Sequence, residues 1–157
     1  MSTPESFMAR AVAISGEHMR KGLGGPFGAV VVKDGEIVGE GANQVTSSND
    51  PTAHAEVVAI REACRNLGTF SLAGCELYAS CEPCPMCLAS IYWARIDKAY
   101  FANDREDAAR IGFDDSFLYD EVAKPIAQRS LPLIHLPSTE AGSIFQEWRD
   151  KEDKIPY

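Results

Sequence analysis

The chain has 157 residues, with 15 Lys and Arg against 23 Asp and Glu, for a formal net charge of −8. That length suits one domain burying roughly 70% of its unfolded surface without disulfides, and the charge works against polynucleotide ligands, whose affinity comes largely from Lys and Arg at phosphates. Apolar stretches such as residues 27–32 and 88–94 fall far short of the roughly 20 residues a membrane span needs, and an odd count of five cysteines without a basic, apolar leader points to a cytoplasmic protein rather than a secreted disulfide scaffold.

Thr3-Pro4-Glu5 reads as a helix start, with Phe7, Met8, Ala11, Ile14 and His18 on one face before Gly22, Gly24, Gly25 and Pro26 end it. His18 reads as a partly buried structural residue. Residues 27–33 and 36–41 flank Asp34-Gly35, a strong hairpin signal, so two antiparallel strands are predicted. A helix over residues 53–66 follows the turn Asn49-Asp50-Pro51-Thr52; Val57, Val58, Ile60, Ala63, Cys64 and Leu67 give its period and Gly68 its stop. Residues 75–80 read as a buried strand leading into a helix that starts at Pro83, and residues 98–102 as the next strand, which makes a βαβ unit. Beyond it come helices over residues 105–112 and 117–128, a last strand over 131–136, and a terminal helix over 143–154 with Ile144, Phe145 and Trp148 turned inward. This order predicts one α/β domain over residues 1–157: a five-stranded mixed sheet covered by helices on both faces in three layers.

Chemistry concentrates in two places. His54-Ala55-Glu56 opens one predicted helix, and Pro83-Cys84-Pro85-Met86-Cys87 opens another. Cys84 and Cys87, three apart, share a helix face, while His54 and Glu56 can share a centre only by straddling the helix's open end. One imidazole and two thiolates make three metal ligands, which is the count of a catalytic zinc site with its fourth position left to water. Helix N-termini favour anions and so help hold both sulfurs as thiolates. A Cys-x-x-Cys redox pair and a four-ligand structural zinc site using Cys81 remain alternatives; otherwise Cys81, Cys64 and Cys75 read as small buried hydrophobes. The two-part signature is the one known for zinc nucleobase deaminases.

The chain resembles the cytidine deaminase-like superfamily, and within it the small bacterial guanine deaminases. The resemblance rests on Gly24-Gly25-Pro26-Phe27-Gly28-Ala29-Val30, on residues 49–56 and 80–87, on Ile91-Tyr92-Trp93-Ala94-Arg95 and on Gly112-Phe113-Asp114-Asp115-Ser116. It implies the three-layer α/β/α fold of that superfamily, zinc held by His54, Cys84 and Cys87, and Glu56 as the proton shuttle for hydrolysis of guanine to xanthine and ammonia. It also implies that Asp115 is a second acid near the leaving amine, that Asn43 hydrogen-bonds the purine edge through its amide donor and acceptor, and that Phe27, Ala55 and Trp93 contact the base. For Asp115 a helix cap or solvated loop acid stays open, for Asn43 a turn residue, and for Phe27 and Trp93 plain packing. In that group the C-terminal segment, here about residues 130–157, is exchanged between the subunits of a homodimer; Pro125, Pro132 and Pro137 suit an extended hinge, and Tyr157 resembles the residue that caps the partner's pocket. A small nucleobase is therefore the expected ligand, with neither nucleic acid nor membrane as partner. Deamination of cytosine, an aminotriazine or transfer-RNA adenosine, and a non-catalytic zinc-stabilised module, are the competing functions. Glu56 speaks against the last, because a carboxylate beside the metal that does not ligate it has no structural purpose.

Overall fold

A computed structural model describes residues 2–157. The chain divides into two compact units, Met1–Phe117 and Leu118–Tyr157. In the first, helix α1 (Pro4–Arg20) begins at Thr3, whose hydroxyl accepts from the Ser6 backbone N–H while Ser6 Oγ accepts from the Thr3 N–H, a reciprocal capping box with Pro4 in the first turn. Strands β1 (Gly28–Lys33) and β2 (Glu36–Ala42) pair antiparallel across Asp34 and Gly35, both at positive φ as a tight hairpin with native twist requires. A short helix α2 (Val45–Ser48) leads to α3 (Ala55–Leu67), then β3 (Cys75–Cys81), α4 (Pro85–Trp93), β4 (Lys98–Asn103) and α5 (Arg105–Arg110).

The sheet order is β2-β1-β3-β4, with β3 antiparallel to β1 and parallel to β4. Alternation sorts the strand residues between two cores. Val30, Val32 and Tyr78 face α1 and meet Phe7, Ala11 and Ile14, whereas Ala29, Val31, Leu77 and Ala79 face the opposite layer and meet Ala55, Ala59 and Ala63 of α3 and Ile91 of α4. Three layers result, and the open ends of α3 and α4 come to lie in the same layer.

Several boundaries differ from the sequence expectation. α3 starts at Ala55 with extended His54 as its cap, and α4 starts at Pro85 with extended Cys84 as its cap, two residues later than expected. A residue that precedes proline is disfavoured in the helical region, so Pro85 keeps Cys84 out of the helix. Four strands are present among the described residues, not five. Residues 131–136 run without ladder bonds, because a strand needs a neighbour to pair with and the unit Leu118–Tyr157 contains none, while Pro132 has no N–H to offer. That unit comprises most of α6 (Ser116–Ala123), a 3₁₀ turn at Ile126–Gln128 and α7 (Thr139–Asp150), capped by Ser138. α6 ends well short of residue 128. On α7, Ile144, Phe145 and Trp148 are exposed rather than inward. No helix of the described residues is long and apolar enough to cross a membrane.

Candidate active site

His54, Cys84 and Cys87 meet where α3 and α4 begin. His54 Nδ1 lies 3.5 Å from the sulfur of Cys84 and 3.5 Å from that of Cys87. Both caps are extended, so the His54 and Cys84 side chains project past the helix ends, and Cys87 reaches the same point from the third position of α4. Glu56, the second residue of α3, is buried, and its Oε2 lies 3.4 Å from Cys87 Sγ. The straddling geometry expected for His54 and Glu56 is what the helix end provides.

Electrostatics distinguish the two thiols. A hydrogen bond from Cys87 and contact with His54 pull the Cys84 thiol down to about 4 against the cost of its burial, and the Cys87 backbone N–H adds to this. The same sharing with Cys84, together with burial, pushes Cys87 up. The hydrogen bond with Cys84 holds His54 above its ordinary value against desolvation, and burial pushes the Glu56 carboxyl up. Cys81 stands apart: it is buried, faces the Asp104 carbonyl at 3.8 Å, and burial first of all raises it to about 11. Among the described residues the cluster able to hold a metal ion consists of His54, Cys84 and Cys87.

Ala55 and Asp115 lie beside this cluster, and Asn43 and Phe27 meet each other at the loops flanking β1 and β2. Asn43, at the end of β2, is buried, and its Oδ1 accepts from the backbone N–H groups of Val45 at 3.1 Å and Gly25 at 3.4 Å. The acceptor half of that amide is thus taken by the backbone, which leaves the NH₂ half to meet a ligand. Phe27 directly precedes β1, and its carbonyl accepts from the Asn43 N–H. Ala55 is fully buried beside His54. Asp115 has one carboxylate oxygen buried without a partner; burial pushes its carboxyl up, and it lies within electrostatic reach of Cys84. Asp114, not Asp115, accepts from the Ser116 N–H to cap the turn.

Trp93 is placed elsewhere. It ends α4, about 9 Å along the helix axis from Cys87 at 1.5 Å per residue, is 64% exposed, and carries the Arg95 guanidinium 5.9 Å from its ring. Tyr157 belongs to the unit Leu118–Tyr157 and is exposed there. One residue absent from the sequence candidates is Phe113, whose ring packs edge-on against Phe27 at 4.9 Å. It stands inside Gly112-Phe113-Asp114-Asp115, so the motif was visible although the pairing with Phe27 was not.

Residues 1–103 match the cytidine and deoxycytidylate deaminase zinc-binding region. The chain belongs to this deaminase family. It is 55% identical over 153 residues to guanine deaminase of Bacillus subtilis, covering 98% of each chain. The X-ray structure of guanine deaminase from Bacillus subtilis superposes with a TM-score of 0.96 at 54% identity, covering 99% of both chains. A tRNA-specific adenosine deaminase of Aquifex aeolicus is 38% identical over 127 residues, 80% of this chain and 81% of that one.

The donor set of this deaminase-family chain fits Zn²⁺. A tetrahedral ion with bonds of about 2.3 Å to sulfur and 2.05 Å to nitrogen places those atoms about 3.6 Å apart, and both His54-to-sulfur separations are 3.5 Å. Two thiols and an imidazole are also the soft and borderline ligands zinc prefers over the oxygen ligands of calcium or magnesium.

Proposed function

We propose that this protein is a zinc-dependent guanine deaminase that hydrolyses guanine to xanthine and ammonia, with His54, Cys84 and Cys87 holding the metal and Glu56 moving the proton. The observation that carries the reading is the three-ligand cluster with a buried, non-ligating carboxylate against one sulfur, in a chain with 55% identity to a guanine deaminase along nearly its full length. Zinc, when bound, supplies Lewis acidity that brings a water's pKa towards neutrality.

The chain's own residues do the rest. Glu56 Oε2 takes a proton from water, hands it to the purine ring nitrogen beside C2, and carries the second proton to the departing amine; the net change is one C2–O bond formed and one C2–N bond broken. Asn43 presents its NH₂ group to an acceptor on the purine edge, because the loop backbone already occupies its carbonyl oxygen. Phe27 and Ala55 flank the base, and the Asp115 carboxyl, with an unpartnered buried oxygen, is suited to the exocyclic amine. A net charge of −8 favours a free base over a polynucleotide, and five free cysteines suit a cytoplasmic setting.

We further infer a homodimer in which the tail of one copy, roughly residues 130–157, completes the site of the other with Tyr157 as its cap. Support comes from β4, an edge strand exposed along its whole length, and from the apolar residues the tail leaves in solvent.

The deciding experiment measures ammonia and xanthine release with guanine, guanosine, adenine, cytosine, an aminotriazine and folded transfer RNA. Guanine is expected to lead by at least about tenfold in kcat/KM, since a site with committed polar partners rejects analogues that leave them unpaired. An equal or greater value for any other compound overturns the substrate and leaves the deaminase chemistry standing.

A further inference from the structure

The loop that carries Asp115 has mainly local ties. Gly112 N–H donates to Ala109 O at 3.0 Å, Phe113 N–H to Ala108 O at 3.0 Å, and Ser116 N–H to Asp114 Oδ1 at 2.9 Å. These bonds shape the turn after α5 but fix it to no other element. Gly112, at φ +96, turns the chain out of the helix immediately before Phe113.

The ring of Phe113 then meets the loop that precedes β1. It meets Phe27 at 4.9 Å with the two planes at 90°, an edge-to-face contact. A Cβ on Gly25 would stand 3.1 Å from Phe27 Cε2 and 3.3 Å from Phe113 Cζ, so both rings crowd the Cα of Gly25. Gly25 is also the residue whose N–H holds the Asn43 carbonyl oxygen. One ring therefore touches the loop that orients Asn43 and Phe27 while its own backbone sets the position of Asp115 two residues on. Phe113 is nevertheless 46% exposed, which is poor value for a core residue and suits a contact at the rim of a pocket.

We propose that Phe113 is a positioning residue that clamps the loop bearing Asp115 to the Gly24–Phe27 loop, so that the Asp115 carboxyl, the Asn43 amide and the Phe27 ring keep one spacing around the purine. The proposal rests on the guanine deaminase reading and deepens it. Phe113 acts through Asp115, and that makes it separable from a residue that merely stabilises the fold.

The test is a double-mutant cycle in full-length, zinc-loaded protein with guanine, using Phe113→Ala, Asp115→Asn and the pair, with Phe113→Leu as the milder variant should the alanine form fail to fold. Expected are unchanged zinc content, a loss of about tenfold in kcat/KM for Phe113→Ala, no further loss when it is added to Asp115→Asn, and recovery in Phe113→Tyr, which keeps the ring edge. Multiplying losses, a silent Asp115→Asn, or a Phe113→Ala enzyme equal to wild type overturns the clamp. Amide hydrogen exchange at Asp115 and Ser116 reads the same contact without substrate. It should accelerate at least about tenfold in Phe113→Ala, and unchanged exchange overturns the clamp even if guanine proves not to be the substrate.

Discussion

Glu56 is buried next to a sulfur, two residues past the histidine that caps α3. Replacing it by Gln keeps the shape and removes the proton carrier, so Glu56→Gln should bind zinc as wild type does and lose at least about 10²-fold in kcat; a smaller loss removes Glu56 from the proton path. The same burial has a consequence for the metal-free protein. Burial raises the carboxyl above its unfolded value, so the native state binds more protons than the unfolded chain once pH exceeds the unfolded pKa of about 4.3, and stability falls as pH rises through that window. Metal-free Glu56→Gln should therefore melt higher than metal-free wild type near neutral pH and level with it below about pH 4, which thermal denaturation in chelator measures. Cys81, a buried thiol outside the cluster, gives the complementary control: Cys81→Ala should retain one zinc per chain by metal analysis, and loss of metal would restore the four-ligand structural alternative. Sequence disclosed His54, Glu56, Cys84 and Cys87 because metal and proton chemistry admit few residue types. The committed oxygen of Asn43 and the ring of Phe113 stayed hidden, since both depend on which loops meet in space.

Helix α3 carries two of the four central residues, and its depth is set by β2. A Cβ on Gly41 would stand 2.2 Å from the Ala55 carbonyl oxygen and 2.5 Å from the Ala59 nitrogen, and one on Gly39 would stand 2.6 Å from both Ala59 O and Ala63 N. These are backbone atoms that cannot rotate aside, so the helix itself would have to move. Gly41→Ala pushes at the end of α3 that bears His54 and Glu56, whereas Gly39→Ala pushes one turn further along. Both should destabilise by about 1–3 kcal/mol or more; Gly41→Ala should also weaken zinc binding in a competition titration, and Gly39→Ala much less. Equal zinc affinities would show that the sheet does not set the ligand geometry. Helical periodicity made α3 legible, and Pro83 with the Cys84–Cys87 spacing made α4 legible, yet both begin two residues later than expected; at α4 the reason is that Pro85 keeps Cys84 out of the helical region. The strand over residues 131–136 failed for a different reason: alternation of apolar residues marks a segment able to pair, and pairing itself requires a neighbour that sequence cannot name.

At the scale of the whole molecule, two surfaces are out of keeping with an isolated chain. The edge strand β4 leaves Tyr100 and Phe101 accessible, and the segment after Phe117 exposes Leu131, Leu133, Ile134, Leu136, Ile144, Phe145 and Tyr157, with Ile134 and Leu136 at 85% and 88%. A unit of this size cannot bury enough apolar surface to be stable alone, and an unpaired edge invites a strand from another chain. The proposed exchange of tails between two copies would remove both liabilities: it would give the segment over 131–136 a ladder partner and bring Tyr157 to a second copy's pocket. The protein should therefore sediment as a dimer at micromolar concentration. Deleting residues 153–157 should raise KM for guanine or lower kcat by about tenfold, the loss expected when a contact worth roughly 1.4 kcal/mol to the transition state is removed, with zinc content unchanged because His54, Cys84 and Cys87 all lie in the first unit. Mixing the truncated chain with the full-length Glu56→Gln chain extends the test. A heterodimer would pair the intact tail of the inactive chain with the intact metal site of the truncated one, and activity should rise above either parent as subunits exchange. An active monomer indifferent to the truncation, or a mixture no more active than its parts, would sink the exchange while leaving each chain's metal site as described.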